Sequence, residues 1–406
     1  MTEQTDTPVL RFKSFNDKWS SSTIGALGDF YYGKSAPKWS ITEDVGIPCI
    51  RYGELYTKFN NVVKEIYSYT SMPKEKLRFS KGGEILIPRV GEDPLDFAKC
   101  VYLPQKDVAI GEMISVYNTK ENPLFLTYYF NTKMKYEFAK RVEGASVSNL
   151  YYSYLEDIKL KIPDIREQEK LGEFFSKLDQ QIELEEKKLE LLEQQKKGYM
   201  QKIFSQELRF KDKKDNYYSD WKNCQLKDLT YYKNGKGYEK VATTNGKYNI
   251  INLNSIGIKG QLKDSGKYTD FEDDTLLKND LIMILSDVAK GNLIGMTAII
   301  DEDNKYLLNQ RIALLRIKNS LITNAYFLYL YINFNRKYFI NMSAGMSQLN
   351  INKKTVEDFP VNLPNIEEQN KIAILFKNYE DTIKKQASKV KLLKQRKQGL
   401  LQKMFV

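Results

Sequence analysis

One signature occurs twice in this chain: PDIREQEKLGEFF starts at Pro163 and PNIEEQNKIAILF starts at Pro364, 201 residues later. From Gly144 to Phe204 the sequence aligns without a gap onto Gly345 to Phe405, with about a third of the positions identical. Both copies hold Gly, Ser and Asn at their start, Glu-Asp before the proline, Glu-Gln after it, and a related ending, KKGYMQKIF against KQGLLQKMF. Upstream the repeat is looser: Trp19 answers Trp221, Gly33-Lys34 answers Gly235-Lys236, and IPCIRYGEL at Ile47 answers YNIINLNSI at Tyr248. An internal repeat outranks every other fold signal, because the chain must then build the same unit twice. At 406 residues it also has the length for two domains.

Each copy reads as an α+β domain followed by a long helix. Short apolar runs such as Ile85 to Ile87 and Leu281 to Leu285, punctuated by Gly, Asn, Asp and Pro, indicate strands. Leu124 to Arg141 and Thr323 to Phe339 read as helices. After Pro163, Leu171, Phe175, Leu178, Ile182, Leu189, Leu192, Tyr199 and Ile203 recur in three- and four-residue steps. After Pro364 the series is Ile372, Phe376, Tyr379, Ile383, Val390, Leu393, Leu400 and Met404. That is a coiled-coil seam, and a proline followed by an acidic residue suits its helix start. Polar interruptions coincide in the two series, Glu185 with Gln386 and Lys196 with Lys397.

Charge and chain reach predict how the helices pair. Residues 166–204 hold 8 basic and 9 acidic side chains and 367–405 hold 10 and 4, so the two helices are complementary in net charge. About four residues separate the first helix from the second domain, a reach of roughly 14 Å, against a helix length of about 58 Å. Antiparallel pairing satisfies that reach. The expected organisation is domain 1 over residues 1–162, helix 1 over 163–205, domain 2 over 206–363 and helix 2 over 364–406, with approximate two-fold symmetry and the helices acting as a ruler.

Several chemistries fit the sequence poorly. Histidine is absent, which removes the commonest general base and metal ligand. The three cysteines, Cys49, Cys100 and Cys224, are unclustered, as expected of a reducing cytoplasm and with no zinc spacing. Gly33-Lys34-Ser35 lacks the earlier glycine of a phosphate-binding loop. NPLF at Asn122 lacks the second proline of an amino-methyltransferase motif, and Asp157-Ile158-Lys159 precedes Pro163-Asp164 where a nuclease would have the reverse order. No apolar run reaches membrane-spanning length, and the first residues do not read as a signal peptide. The expectation is no catalytic residue and no metal ligand. The net charge of +11 favours a polyanion partner.

The double occurrence of domain, P-x-I-x-E-Q and heptad helix resembles the DNA-specificity subunit of type I restriction-modification enzymes, over nearly the whole chain. The resemblance implies two target-recognition domains, each reading one part of a split sequence in double-stranded DNA, with the helices setting the gap. It also implies partners: two modification subunits that methylate adenine, and restriction subunits that translocate and cleave. S-adenosylmethionine, ATP and magnesium would then be bound by those subunits and not by this chain. The rival reading is a coiled-coil adaptor that binds no nucleic acid.

Base readout needs Arg, Asn, Gln, Ser or Lys on loops. In the first copy the candidates are Arg51, Tyr52, Arg89, Lys99, Ser146, Ser148 and Asn149. In the second they are Asn252, Asn254, Ser286, Lys290, Asn292, Ser347, Gln348 and Asn350, with Lys353 and Lys354 suited to phosphate. Arg51 also suits a surface ion pair, and Asn149 and Asn350 suit a local turn cap. Two domains with different targets should differ at base contacts, so Arg89, which faces Leu285 or Ser286 in the repeat, is a better specificity candidate than Asn149. Most tyrosines read as half-buried residues of strands and helices.

Overall fold

A computed structural model describes residues 7–34, 36–144, 147–288, 293–345 and 348–406. It contains two compact units, one formed by Met1–Lys188 with Gln386–Val406 and the other by Leu189–Lys385. Among the described residues no helix is long and apolar enough to cross a membrane.

The first unit is built on a four-stranded antiparallel sheet in the order Gly28–Tyr32, Ile114–Thr119, Glu84–Pro88, Val101–Leu103. Glu84–Pro88 is buried along its whole length, as its unbroken apolar run requires of a central strand. A second sheet has the order Ile41–Thr42, Ser68–Thr70, Ile47–Ile50, Lys106–Ile110, Phe79–Lys81, and its Ile47–Ile50 and Lys106–Ile110 strands are parallel. A short ribbon pairs Ser20–Thr23 with Lys159–Ile162.

The second unit repeats this plan. Its four-stranded sheet runs Thr230–Asn234, Ile312–Ile317, Leu281–Ile284, Thr297–Ile299, in the same order of equivalent strands. Its other sheet keeps the parallel pair, Tyr248–Ile251 with Tyr306–Leu308, and Tyr268–Thr269 beside it. Counterparts of Ile41–Thr42 and Phe79–Lys81 are not among its described strands. Lys222–Gln225 pairs with Pro360–Leu363 as the equivalent ribbon.

The repeated Gly-Lys has a steric cause. A Cβ on Gly33 would lie 2.1 Å from the Gly111 carbonyl oxygen, and one on Gly235 would lie 2.0 Å from that of Asn309. The following lysine N–H then bonds across the sheets, from Lys34 to Ile110 at 2.8 Å and from Lys236 to Leu308 at 2.9 Å. The motif is a point where two backbones nearly touch.

The helices expected over Leu124 to Arg141 and Thr323 to Phe339 are each broken in two. The first forms Pro123–Lys133 and Lys135–Ala139, with Met134 at φ −93°, ψ 1° between them. The second forms Ala325–Phe334 and Lys337–Met342, where the Asn335 side chain turns back to the Tyr331 carbonyl at 3.0 Å. An asparagine that competes for a helical carbonyl favours a terminus.

The long helices span Ile165–Phe204 and Ile366–Met404. Their prolines lie two residues before the first helical position: Asp164 and Asn365 follow them and cap the helices, accepting from the Glu167 N–H at 3.2 Å and the Glu368 N–H at 2.9 Å. The repeated Glu-Gln is wholly buried in both copies. Glu167 takes a forked pair of bonds from Arg11 at 2.8 and 2.6 Å, and Glu368 takes one from Arg209 at 3.3 and 2.8 Å. Gln168 bonds the Pro163 carbonyl and the Asn122 N–H, and Gln369 does the same with Pro364 and Asn324. The signature thus fastens each long helix to the globular part that precedes it.

Within each unit the two long helices pair antiparallel. In the first, Asp179 meets Lys397 and Glu186 meets Lys394. In the second, Lys196 meets Glu380 at 2.6 Å and the Tyr199 and Tyr379 rings lie 5.9 Å apart. Of the expected seam, Leu171, Phe175, Ile182, Ile372, Phe376 and Val390 are buried, while Leu178, Leu189, Leu192, Tyr379, Ile383 and Leu393 are half-buried. The deepest positions also face a globular core. Phe405 packs against Phe125, Tyr129 and Phe175 at 5.5–5.8 Å, and Phe204 against Phe327, Tyr331, Phe334 and Phe376 at 5.0–6.5 Å. Burying one such ring contributes about 1.5–3 kcal/mol.

Candidate nucleic-acid interface

In the first unit the central strand Glu84–Pro88 ends at Arg89, and a short ribbon follows in which Val90–Gly91 pairs with Ser148–Asn149. The backbone of Arg89 is held on both sides: its N–H donates to the Met113 carbonyl at 3.0 Å, and its carbonyl accepts from the Leu150 N–H at 2.9 Å. The guanidinium lies 4.5 Å from the Tyr32 ring and 5.1 Å from the Tyr151 ring. Tyr152 continues this aromatic platform, 4.5 Å from Tyr32 and stacked on Phe30 at 5.4 Å. Arg78 borders it, bonding the Tyr32 carbonyl at 2.7 Å.

The turn Gly111–Met113 joins this ribbon to a second loop. Gly111 donates to the Ile50 carbonyl at 3.0 Å, just where the chain enters the helix Tyr52–Thr57. Glu54 of that helix is buried and accepts from the Arg51 N–H and the Ser68 hydroxyl, both at 2.7 Å. Tyr56 reaches the Val90 carbonyl at 3.1 Å, and Lys99 reaches the Tyr56 carbonyl at 3.3 Å. Arg51, Tyr52 and Lys99 are exposed, Arg89 and Asn149 are half-buried and Ser148 is buried. These six expected residues therefore occupy one connected region.

The second unit keeps this scaffold and changes its side chains. Asn309 donates to the Ile251 carbonyl and Leu285 to the Arg311 carbonyl, both at 3.0 Å, and Ile351 donates to the Leu285 carbonyl at 2.9 Å. Leu285 therefore holds the place of Arg89, and Ser286 that of Val90. Ser286–Val288 pairs with Gln348–Asn350, and the Gln348 amide donates to the Ser286 hydroxyl at 2.6 Å. Asn252 holds the place of Arg51, and its side-chain oxygen accepts from the Asn254 N–H at 2.8 Å. Asn254 is exposed and Ser286 buried. Lys353 pairs with Glu357 at 3.5 Å and lies over Tyr232 at 5.6 Å, while Lys354 is exposed. Tyr232 and Lys353 stand where Phe30 and Tyr152 stack in the first unit.

Asn149 and Asn350 lie in ribbon strands, and the Asn350 side-chain amide donates to the Gln348 carbonyl at 3.1 Å. Their backbones pair with Glu143 and Ala344, and it is Asn352 that caps the next helix, accepting from Thr355. Ser146, Lys290, Asn292 and Ser347 lie outside the described residues. Sequence reasoning missed Tyr32 and Tyr151 as supports for Arg89, and missed Arg311, exposed on the turn beside Leu285. The doubled tyrosines were the only signal for the first two. Tyr31, Tyr32, Tyr151 and Tyr152 are half-buried as read, whereas Tyr231 is exposed.

Burial is the leading cause of the upward pKa shifts of Tyr31, Tyr32 and Tyr232, with Tyr232 pushed up to about 12. These phenols stay protonated at neutral pH and offer donors, not bases. Among the described residues no group of three or more His, Cys, Asp or Glu is placed to hold a metal ion.

Residues 16–194 and 218–394 match the family described as the type I restriction modification DNA specificity domain. The type I restriction enzyme MjaVIII specificity subunit of Methanocaldococcus jannaschii is 21% identical over 296 residues, 70% of this chain and 70% of that protein. Among solved structures, the type I restriction-modification S subunit from M. genitalium superposes with a TM-score of 0.63 at 16% identity, covering 98% of this chain and 99% of that one. A chain from a structure of complex assembly and conformational transition in the type I R-M system gives 0.56 at 13% identity, covering 95% and 97%. At these identities the two structures speak for the fold, and the paired family matches extend over most of the sequence. The chain belongs to the type I restriction modification DNA specificity family.

Proposed function

We propose that this chain reads a bipartite sequence in double-stranded DNA, one part with each unit, across a spacer of fixed length. The observation that carries this reading is a twice-built scaffold with different side chains on it: Arg89 against Leu285, Arg51 against Asn252, and Tyr52 against Leu253, on matching backbone bonds. Kept bonds preserve the geometry of presentation, and changed side chains alter which base edges are matched. In the first unit Arg51, Tyr52, Arg89, Lys99, Ser148 and Asn149 face the DNA. In the second Asn252, Asn254, Ser286, Gln348 and Asn350 do so, with Lys353 and Lys354 toward phosphate.

On this reading the chain performs no chemistry itself. Two adenine-methylating modification subunits and the restriction subunits assemble on it in the cytoplasm, and S-adenosylmethionine, ATP and magnesium belong to them.

Coexpression with the neighbouring genes, purification of what accompanies the chain, and mapping of methylated adenines in host DNA test the proposal. A stoichiometric methyltransferase and a split motif with one fixed gap are expected. Recovery of the chain alone, with methylation unchanged on its deletion, would favour the adaptor.

A further inference from the structure

Among the described residues Arg89 is an arginine without an ion-pair partner. Among the described residues its buried Nε has no hydrogen-bond acceptor, and the guanidinium lies over the two tyrosine rings. A dry, unmatched N–H destabilises a fold, so packing alone is a poor reason to keep one here. The rings also do something specific: lying 4.5 and 5.1 Å from the guanidinium, they restrict its movement while leaving the two terminal nitrogens as a donor fork.

The internal repeat supplies the comparison. Leu285 occupies the same backbone position, with the same two hydrogen bonds on either side. The scaffold therefore tolerates a side chain with no charge and no donors at this point. An arginine required for general attraction to phosphate would be needed equally in both units.

We propose that Arg89 reads a guanine in the half-site of the first unit, through its two terminal nitrogens to the O6 and N7 atoms in the major groove. The inference rests on the proposed DNA reading and goes further, assigning one base to one residue. Tyr32 and Tyr151 act as positioning residues, holding the fork before DNA arrives so that little side-chain freedom is lost on binding.

The test selects bound duplexes from a library randomised across both half-sites, using the full chain with the modification subunits that copurify with it. Wild type is compared with Arg89→Lys, which keeps the charge, and Arg89→Leu, which installs the side chain of the other copy. Melting temperatures check that both variants fold. Wild type should require a guanine in one half-site, and both variants should lose roughly 10- to 100-fold of discrimination at that base while the other half-site stays unchanged. Three results would overturn the inference: no guanine in either half-site, an intact guanine preference in both variants, or an even loss of affinity over all sequences with a shallower salt dependence, the mark of a phosphate contact. If wild type selects no split motif at all, the proposed function itself falls, and the inference with it.

Discussion

Gln386 donates from its side-chain amide to both the carboxylate and the backbone carbonyl of Glu185, at 2.7 and 2.9 Å. The two residues hold the same position in the two copies, 201 apart in sequence. Equivalent positions of two antiparallel helices can touch at one level only, so this pair sets the register of the helices within the first unit. A polar pair among apolar neighbours fixes register, because sliding either helix by a turn would leave both groups without partners.

The same contact predicts an acid response. The Glu185 carboxyl is held below its ordinary range, first by the Gln386 amide and then by Lys389. A carboxyl depressed in the folded state contributes stability above its unfolded pKa and loses it as pH falls through the folded value. As pH falls through and below the ordinary glutamate range, wild type should therefore lose stability more steeply than Glu185→Gln. Equal acid slopes in urea titrations would show that the pair contributes nothing.

Removing the repeated buried glutamates should be costly and unequal. Glu167→Ala strands the Arg11 guanidinium, a change that costs about 3–5 kcal/mol for a buried pair, whereas Arg209 keeps its bonds to the Tyr218 and Ser219 carbonyls when Glu368 is removed. Glu368→Ala instead leaves the Trp221 indole N–H, 3.2 Å from the carboxylate, without that acceptor, a loss of about 1–3 kcal/mol. Denaturant unfolding should rank Glu167→Ala as the more damaging; the opposite order would contradict this account.

Phe405→Ala should loosen the first unit, although Phe405 lies at the far end of the sequence. The ring is 2% exposed, and truncating such a residue costs about 3–5 kcal/mol. Hydrogen exchange should speed up around Phe125–Phe130 and Phe175 and stay unchanged around Phe327. Phe204→Ala should give the reverse pattern.

Glycine substitutions should split by site. Gly33→Ala and Gly235→Ala drive a methyl into a backbone oxygen and should destabilise strongly. Gly198 and Gly399 lie in the long helices with nothing within 4 Å of a new Cβ, so alanine there should stabilise by about 0.5–1 kcal/mol. Thermal melts of the four variants check both signs.

The sequence by itself determined the duplication, the α+β class, the strands at Glu84–Pro88 and Leu281–Ile284, and the long helices with their apolar seam. These are legible because strand and helix periods, and repetition, are local properties written along the chain. Tertiary structure alone decided where the Glu-Gln signature goes, that Asn149 pairs in a ribbon, and that Arg89 lies over Tyr32 and Tyr151. Those facts depend on residues between 40 and 160 positions apart meeting in space, which no local pattern encodes. Even the repeat pointed two ways: conserved Glu167 and Gln168 proved to be fastenings, while the divergent position of Arg89 and Leu285 sits on an identical frame. A frame is kept by backbone hydrogen bonds, which any side chain permits, and the side chain is then free to differ.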